Sequence, residues 1–279
     1  MAAQWVSVEA SGPVRTIRLR RPPINALDDR ALEELGAAAD AVAADAEGRV
    51  VVLASAVDGV FCSGGDLRFW RTFPKERARE VSVAGQAAFT RIARMGKATI
   101  AAIDGHVIGD GIGLALSCDL RLASPRASFR LPEACYGFIP GWGTLQHLVR
   151  TVGHPRALEM ILTGRSVDAN VALEWGLITR VQPAATFATG LEGLLNSLLA
   201  MSPAALSLAK IALTGGPGDP DATPTQETDA FTQAWGSEDW REGIAALLAK
   251  RSPRFASGWT SNLGISPSPE NTGGYSHEP

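Results

Sequence analysis

Two short, uninterrupted apolar runs constrain this chain most: Val50-Val51-Val52-Leu53-Ala54 and Thr99-Ile100-Ala101-Ala102-Ile103. A strand with one wet face alternates polar and apolar residues. A run with no polar break must be covered on both faces, as central strands of a parallel sheet are. Parallel neighbours cannot be joined by a tight turn and need a crossover of a dozen residues or more. Residues 28–45 supply such a segment, with Asp28 as a candidate cap and Leu32, Leu35, Ala39 and Val42 at helical spacing. The expected class is therefore α/β.

The start of the chain reads as paired strands, with Val6 and Val8, then Val14, Ile17 and Leu19 after the Ser11-Gly12-Pro13 turn signal. Helices are expected over 154–163, 168–175, 186–200, 203–213 and 226–251, with a mobile loop at Gly215–Pro220 between the last two. From Ser257 the chain is polar and rich in Ser, Gly, Pro and Asn, which predicts disorder. These readings divide the chain into a core over 1–200, a helical region over 201–257 and a tail over 258–279.

Composition excludes several function classes. With 279 residues, 46% of them hydrophobic, the chain can bury a large core without staples. Cys62, Cys118 and Cys135 are scattered and show no zinc-ligand spacing, so they read as buried thiols of a reducing compartment and no metal is expected. A net charge of −3, with Lys and Arg spread along the chain, implies no nucleic-acid partner. The N-terminus lacks an export signal, and the apolar stretch 98–118 is broken by Asp104, His106, Asp110 and several glycines, so no membrane is expected and the location reads as cytoplasmic.

Three segments carry candidate chemistry. In Phe61-Cys62-Ser63-Gly64-Gly65-Asp66-Leu67, paired glycines leave backbone amides uncovered. If a helix starts near Asp66, those amides sit at its positive end and can donate to a developing negative oxygen; the alternative is a plain tight turn. Asp104 to Leu114 is again glycine-rich, but GxGxxG fails at Leu114 and Leu116, which argues against a dinucleotide site. In Phe129 to Gly143, Glu133 stands alone among apolar and aromatic residues: either a surface residue of a turn, or a buried acid/base with a raised pKa.

Together these segments resemble the crotonase superfamily, the enoyl-CoA hydratase/isomerase family, over roughly residues 5–256. The match includes Pro23-Ile24-Asn25-Ala26-Leu27, Phe61 to Leu67, Asp104 to Leu114, Cys118-Asp119-Leu120-Arg121, Phe129 to Gly143, Leu162-Thr163-Gly164-Arg165, Gly176-Leu177-Ile178 and Glu242 to Phe255. The resemblance implies a crotonase-like spiral of ββα units with a C-terminal helical region that packs into trimers, or dimers of trimers. It implies an acyl-CoA thioester as substrate, with coenzyme A part of the substrate and no separate cofactor. Its oxyanion hole would be the N–H groups of Gly65 and Asp110, with Glu133 as the acid/base. Further residues implied around the CoA and acyl group are Asn25, Ala26, Leu27, Phe61, Ser63, Gly64, Asp66, Leu67, Gly109, Gly141 and Trp142. Trp142 either narrows the acyl pocket or packs in the core. Lys250 either reaches a CoA phosphate, within its own subunit or across a subunit boundary, or is a solvated Lys at a helix end.

Two positions depart from the family pattern. Two-carboxylate hydratases carry a Glu where this chain has Gly113, so a single glutamate fits isomerisation better than hydration; lyase, hydrolase or decarboxylase chemistry on a specialised thioester is the alternative. A non-catalytic acyl-CoA binder is the alternative of another class. Asp110 stands where Gly is usual; its carboxylate is expected to face away from the site and cap the helix starting near Gly111, the alternative being a direct role with substrate.

Overall fold

The computed structural model describes residues 4–214 and 222–255. The segment 215–220 and the tail 258–279 lie outside the described residues.

The chain opens with β1 (Val6–Ser11) and β2 (Val14–Leu19), an antiparallel hairpin, and continues into α1 (Asp29–Ala44). The expected cap of α1 is present, with Asp28 Oδ1 accepting from the Ala31 N–H at 2.8 Å. Three similar passages come next. The first is β3 (Val50–Ser55), β4 (Gly59–Cys62), the short α2 (Leu67–Trp70) and α3 (Ala78–Ala93). The second is β5 (Ala98–Ile103), β6 (Gly105–Ile108) and α4 (Asp110–Leu116). The third is β7 (Leu120–Ala123), β8 (Ser128–Arg130), α5 (Thr144–Val152) and α6 (His154–Thr163). Then come β9 (Ser166–Asp168), α7 (Ala169–Glu174), β10 (Arg180–Val181), α8 (Phe187–Leu199), α9 (Pro203–Thr214), α10 (Ala222–Ala234) and α11 (Glu238–Leu248).

Each passage lays its first strand in one sheet and its second in another. The large sheet has the order β1-β2-β3-β5-β7-β10 and the small one β4-β6-β8-β9. Pairing is parallel except at β1/β2 and β8/β9. The apolar run of β3 is explained by its two faces. Val51 and Leu53 enter the main core, whereas Val50 and Val52 pack on the opposite side, against Leu191 and Leu195 of α8.

The single helix expected over 226–251 is two. Gly236 takes φ +75°, and Ser237 then caps α11 by accepting from the Trp240 N–H at 3.1 Å. A left-handed glycine followed by a Ser cap ends one helix and starts the next, and helical periodicity across both hides the break. The cysteines also differ from expectation: Cys62 and Cys118 are buried, with thiols pushed up to about 12 by burial, but Cys135 is exposed.

Candidate active site

Strands β4, β6 and β8 lie side by side and parallel, with Cys62 opposite Val107 and Val107 opposite Phe129. Their carboxyl ends therefore reach the same edge of the small sheet. Each strand leads into one of the three segments: β4 into Ser63 to Asp66, β6 into Gly109 and Asp110, and β8 into Leu131 to Glu133. Residues far apart in sequence meet because parallel pairing aligns the strand ends.

The contacts there are close. Gly64 is so near the next segment that a Cβ on it would lie 2.7 Å from the Asp110 nitrogen. Leu27 braces the first segment, its N–H donating to Gly64 O at 2.8 Å while its own carbonyl accepts from the Asp66 N–H at 2.9 Å. Neither Gly65 N–H nor Asp110 N–H donates to a protein acceptor among the described residues. Both residues line an open cleft of about 1420 Å³, as does Glu133.

Glu133 lies next to Pro132 and opens a 3₁₀ turn, Glu133–Tyr136. It is 7% exposed, and Oε2 is buried with no hydrogen-bond partner among the described residues. Burial pushes its carboxyl up from 4.5 to about 7, the Asp110 charge adds to the rise, and a backbone hydrogen bond opposes it. Gly109 makes room for it: a Cβ there would lie 2.5 Å from Glu133 Oε1, and φ +58° disfavours a side chain independently.

Asp110 does not do what was expected of it. Gly109 is the N-cap of α4 and offers no side chain, and Asp110 is the first residue of the helix. Its carboxylate is buried and turned to the neighbouring segment, where Oδ1 accepts from the Gly141 N–H at 2.7 Å and the Thr144 hydroxyl at 2.9 Å. Burial raises its pKa, and these two hydrogen bonds oppose the rise. Thr144 was not singled out in the sequence, where no local signal marks it. A Cβ on Gly113 would lie 2.1 Å from Thr144 Oγ1, so Thr144 fills the space in which a side chain at 113 would begin.

Ala26, Ser63, Asp66, Leu67, Gly109, Gly141 and Trp142 also line the cleft. Trp142 is at once wall and core. It is 5% exposed, with Trp70 and Phe89 each edge-to-face at 5.4 Å, and Nε1 donates to Val81 O at 3.1 Å. Gly85 of α3 admits it, since a Cβ there would lie 2.3 Å from the indole. Asn25, Leu27, Phe61 and Gly64 are not among the residues that line the cleft. Asn25, Leu27 and Phe61 are at most 1% exposed. The Asn25 amide accepts from the Arg21 N–H and donates to Ser55 Oγ and Phe61 O, so it fastens the loop from inside. Lys250 lies beyond the end of α11, apart from the cleft of its own chain.

The sequence also concealed a cationic rim. Arg68, Arg71, Lys75 and Arg77 line the cleft together. Read along the chain they are scattered among Phe, Trp and Pro; the turn of α2 and the segment to α3 bring them to one wall. Arg21 joins the rim to the floor by ion pairs to Asp28 and Asp66, each at 2.8 Å.

Comparison with known proteins shows the family. The enoyl-CoA hydratase/isomerase family matches residues 9–258. The chain belongs to this family. Similar relatives include the short-chain-enoyl-CoA hydratase of Clostridium acetobutylicum, 31% identical over 248 residues and covering 88% of this chain and 95% of the relative. The crotonyl-CoA hydratase of Syntrophomonas wolfei is 31% identical over 259 residues, 92% of this chain and 100% of the relative. A crystal structure of enoyl-CoA hydratase from Bacillus anthracis superposes with a TM-score of 0.85 at 32% identity, covering 90% of this chain and 99% of the other. One from Geobacillus kaustophilus gives 0.87 at 30% identity, covering 92% and 98%. The fold is that of the crotonase enzymes, and the protein is an enoyl-CoA hydratase/isomerase-like enzyme.

Proposed function

We propose that the protein shifts the double bond of an enoyl-CoA thioester, with Glu133 moving the proton beside the carbonyl and the Gly65 and Asp110 N–H groups holding the oxygen of the resulting enolate. The observation that carries this reading is the buried Glu133 carboxyl, whose Oε2 has no partner among the described residues, in the same cleft as two N–H groups without protein acceptors among those residues. A carboxyl titrating near 7 divides between acid and base at neutral pH, where a placed group supplies about 10²–10⁴ in rate. Each preorganised donor adds about 10²–10³. The cationic rim suits the phosphates of CoA, and the exposed aromatic cluster of Phe231, Trp235 and Trp240 on α10 and α11 supports self-association as a trimer or dimer of trimers. Lys250 is proposed to reach CoA only from a neighbouring subunit.

Isomerisation is favoured over hydration because Thr144 takes the space at position 113, leaving no carboxylate there to orient a water. Hydration is the second reading, favoured by the names of the relatives. The test is turnover of 2-enoyl-CoA and 3-enoyl-CoA by the wild type and Glu133→Gln. Isomerisation by the wild type, lost in the variant with CoA-ester binding retained, is expected. Fast hydration of the 2-enoyl ester without isomerisation of the 3-enoyl ester reverses the order, and no turnover across a thioester panel leaves a binding protein.

A further inference from the structure

The main-chain N–H of Asp110 accounts for only half of what that residue brings to the cleft. Gly113 and Asp110 lie on one face of α4, one turn apart. No side chain fits at 113 beside Thr144 Oγ1, and the hydroxyl that closes that space donates to Asp110 Oδ1. Gly141 N–H donates to the same oxygen. Oδ2 takes no hydrogen bond among the described residues, yet it is not among the atoms sealed from solvent without a partner, so it keeps contact with solvent in a residue that lines the cleft. Glu133 is arranged comparably: Oε2 is buried and Oε1 lies against Gly109, the residue that precedes Asp110. Both residues thus line one cleft, Asp110 fixed by two donors and Glu133 lodged against Gly109.

We propose that the Asp110 carboxyl is the second proton carrier of the active site, serving C4 of the enoyl chain while Glu133 serves C2. This rests on the function proposed above and reassigns half of the proton traffic. In the conversion of a 3-enoyl to a 2-enoyl thioester, Glu133 as carboxylate takes a proton from C2. The C–H electron pair forms the C1–C2 double bond, and the carbonyl pair moves to the thioester oxygen, held by the two N–H groups. The carbonyl then re-forms, the C1–C2 pair becomes the C2–C3 double bond, and the C3–C4 pair takes the proton from Asp110. Between turnovers the Glu133 proton exchanges with water in the open cleft and passes on to Asp110, which restores the pair, and nothing else is consumed. In the reverse direction Asp110 loses its charge as the charge on the thioester oxygen grows, so the carboxylate does not oppose the enolate it creates. Two neighbouring carboxyls hold one proton between them more readily than none; the Asp110 charge that raises Glu133 keeps that proton on Glu133 at rest, and its passage to Asp110 readies the 3-enoyl direction.

The experiment tracks a label. Wild-type enzyme is given 3-enoyl-CoA deuterated at C2 in ordinary water, and C4 of the product is read by NMR. Hydrogen from solvent is expected at C4, because the deuterium goes to Glu133 and the hydrogen comes from Asp110. Asp110→Asn keeps the main-chain N–H and an oxygen for Gly141 and Thr144. Its kcat is expected to fall by about tenfold or more, with binding of an inert acyl-CoA kept within about twofold. Its residual product should carry substrate deuterium at C4, since Glu133 then makes both transfers. Substrate deuterium at C4 in the wild-type product overturns the proposal, as does an Asn variant with unchanged kcat and labelling. If the variant does not fold, the wild-type label decides alone. A wild type that isomerises nothing refutes the proposed function and this inference together, whereas isomerisation with the label carried to C4 refutes this inference only.

Discussion

Glu133→Gln is expected to abolish turnover and at the same time to remove the loss of stability that the wild type suffers as pH rises. The carboxyl is raised from 4.5 to about 7 in the folded chain, first by burial and then by the Asp110 charge. A raised acid favours the folded state while it stays protonated. That contribution is fully present below about pH 4.5 and is lost as pH rises through about 7, the folded value. At about 1.4 kcal/mol per pH unit, the gap between 4.5 and about 7 corresponds to roughly 3 kcal/mol. Water in the open cleft relieves part of it, leaving about 2–3 kcal/mol. Gln cannot ionise, so the variant is spared this loss. Its amide gains no partner beside the position of Oε2, which costs about 1–3 kcal/mol, but equally at every pH. The pH-dependent part is the signature. Urea denaturation of both proteins at pH 4.5, 7 and 9 should show the variant gaining about 2–3 kcal/mol on the wild type between the lowest and the highest pH. A difference that stays constant with pH would mean that Glu133 ionises as freely in the folded chain as in the unfolded one, and the proposed acid/base would lose its physical basis.

The packing sets three further outcomes. Gly113→Ala should destabilise by about 1–3 kcal/mol through overpacking against Thr144 Oγ1, and Thr144→Gly in the same chain should recover part of that loss; denaturation of the single and double variants measures the coupling. Gly109→Ala should lower kcat by about tenfold or more, because the added methyl would meet Glu133 Oε1 at 2.5 Å, and a crystal structure of the variant should show the carboxyl displaced. Trp142→Ala should cost about 3–5 kcal/mol, since its ring packs on Trp70 and Phe89, and should shift the kcat/KM preference toward bulkier acyl groups; unchanged acyl preference would make the ring purely structural.

Much of the fold was legible because its signals are local. The Asp28 cap, the apolar run of β3 and the bounds of α6 each depend on a few neighbouring residues, and the structure repeats them. The break between α10 and α11 was missed although Gly236-Ser237 is a local signal, because apolar spacing continues on both sides of it. At the site, the glycines and Glu133 were legible through the family pattern. The direction of the Asn25 amide was not legible, because a polar residue beside a binding loop looks the same whether its amide faces a ligand or Phe61 O.

The sequence by itself determined which residues could do chemistry here: a glutamate in apolar surroundings, two glycine-rich strand exits, and a position 113 without a carboxylate. Only the tertiary structure decided how they meet. Parallel pairing of β4, β6 and β8 carries three distant strand ends to one edge, and burial at that edge, not residue identity, moves Glu133 toward neutrality. The direction of the Asp110 carboxyl was decided in the same way, by donors on Gly141 and Thr144 more than thirty residues further on. A side chain's orientation depends on the partners that packing brings to it, and those partners are absent from its own stretch of sequence.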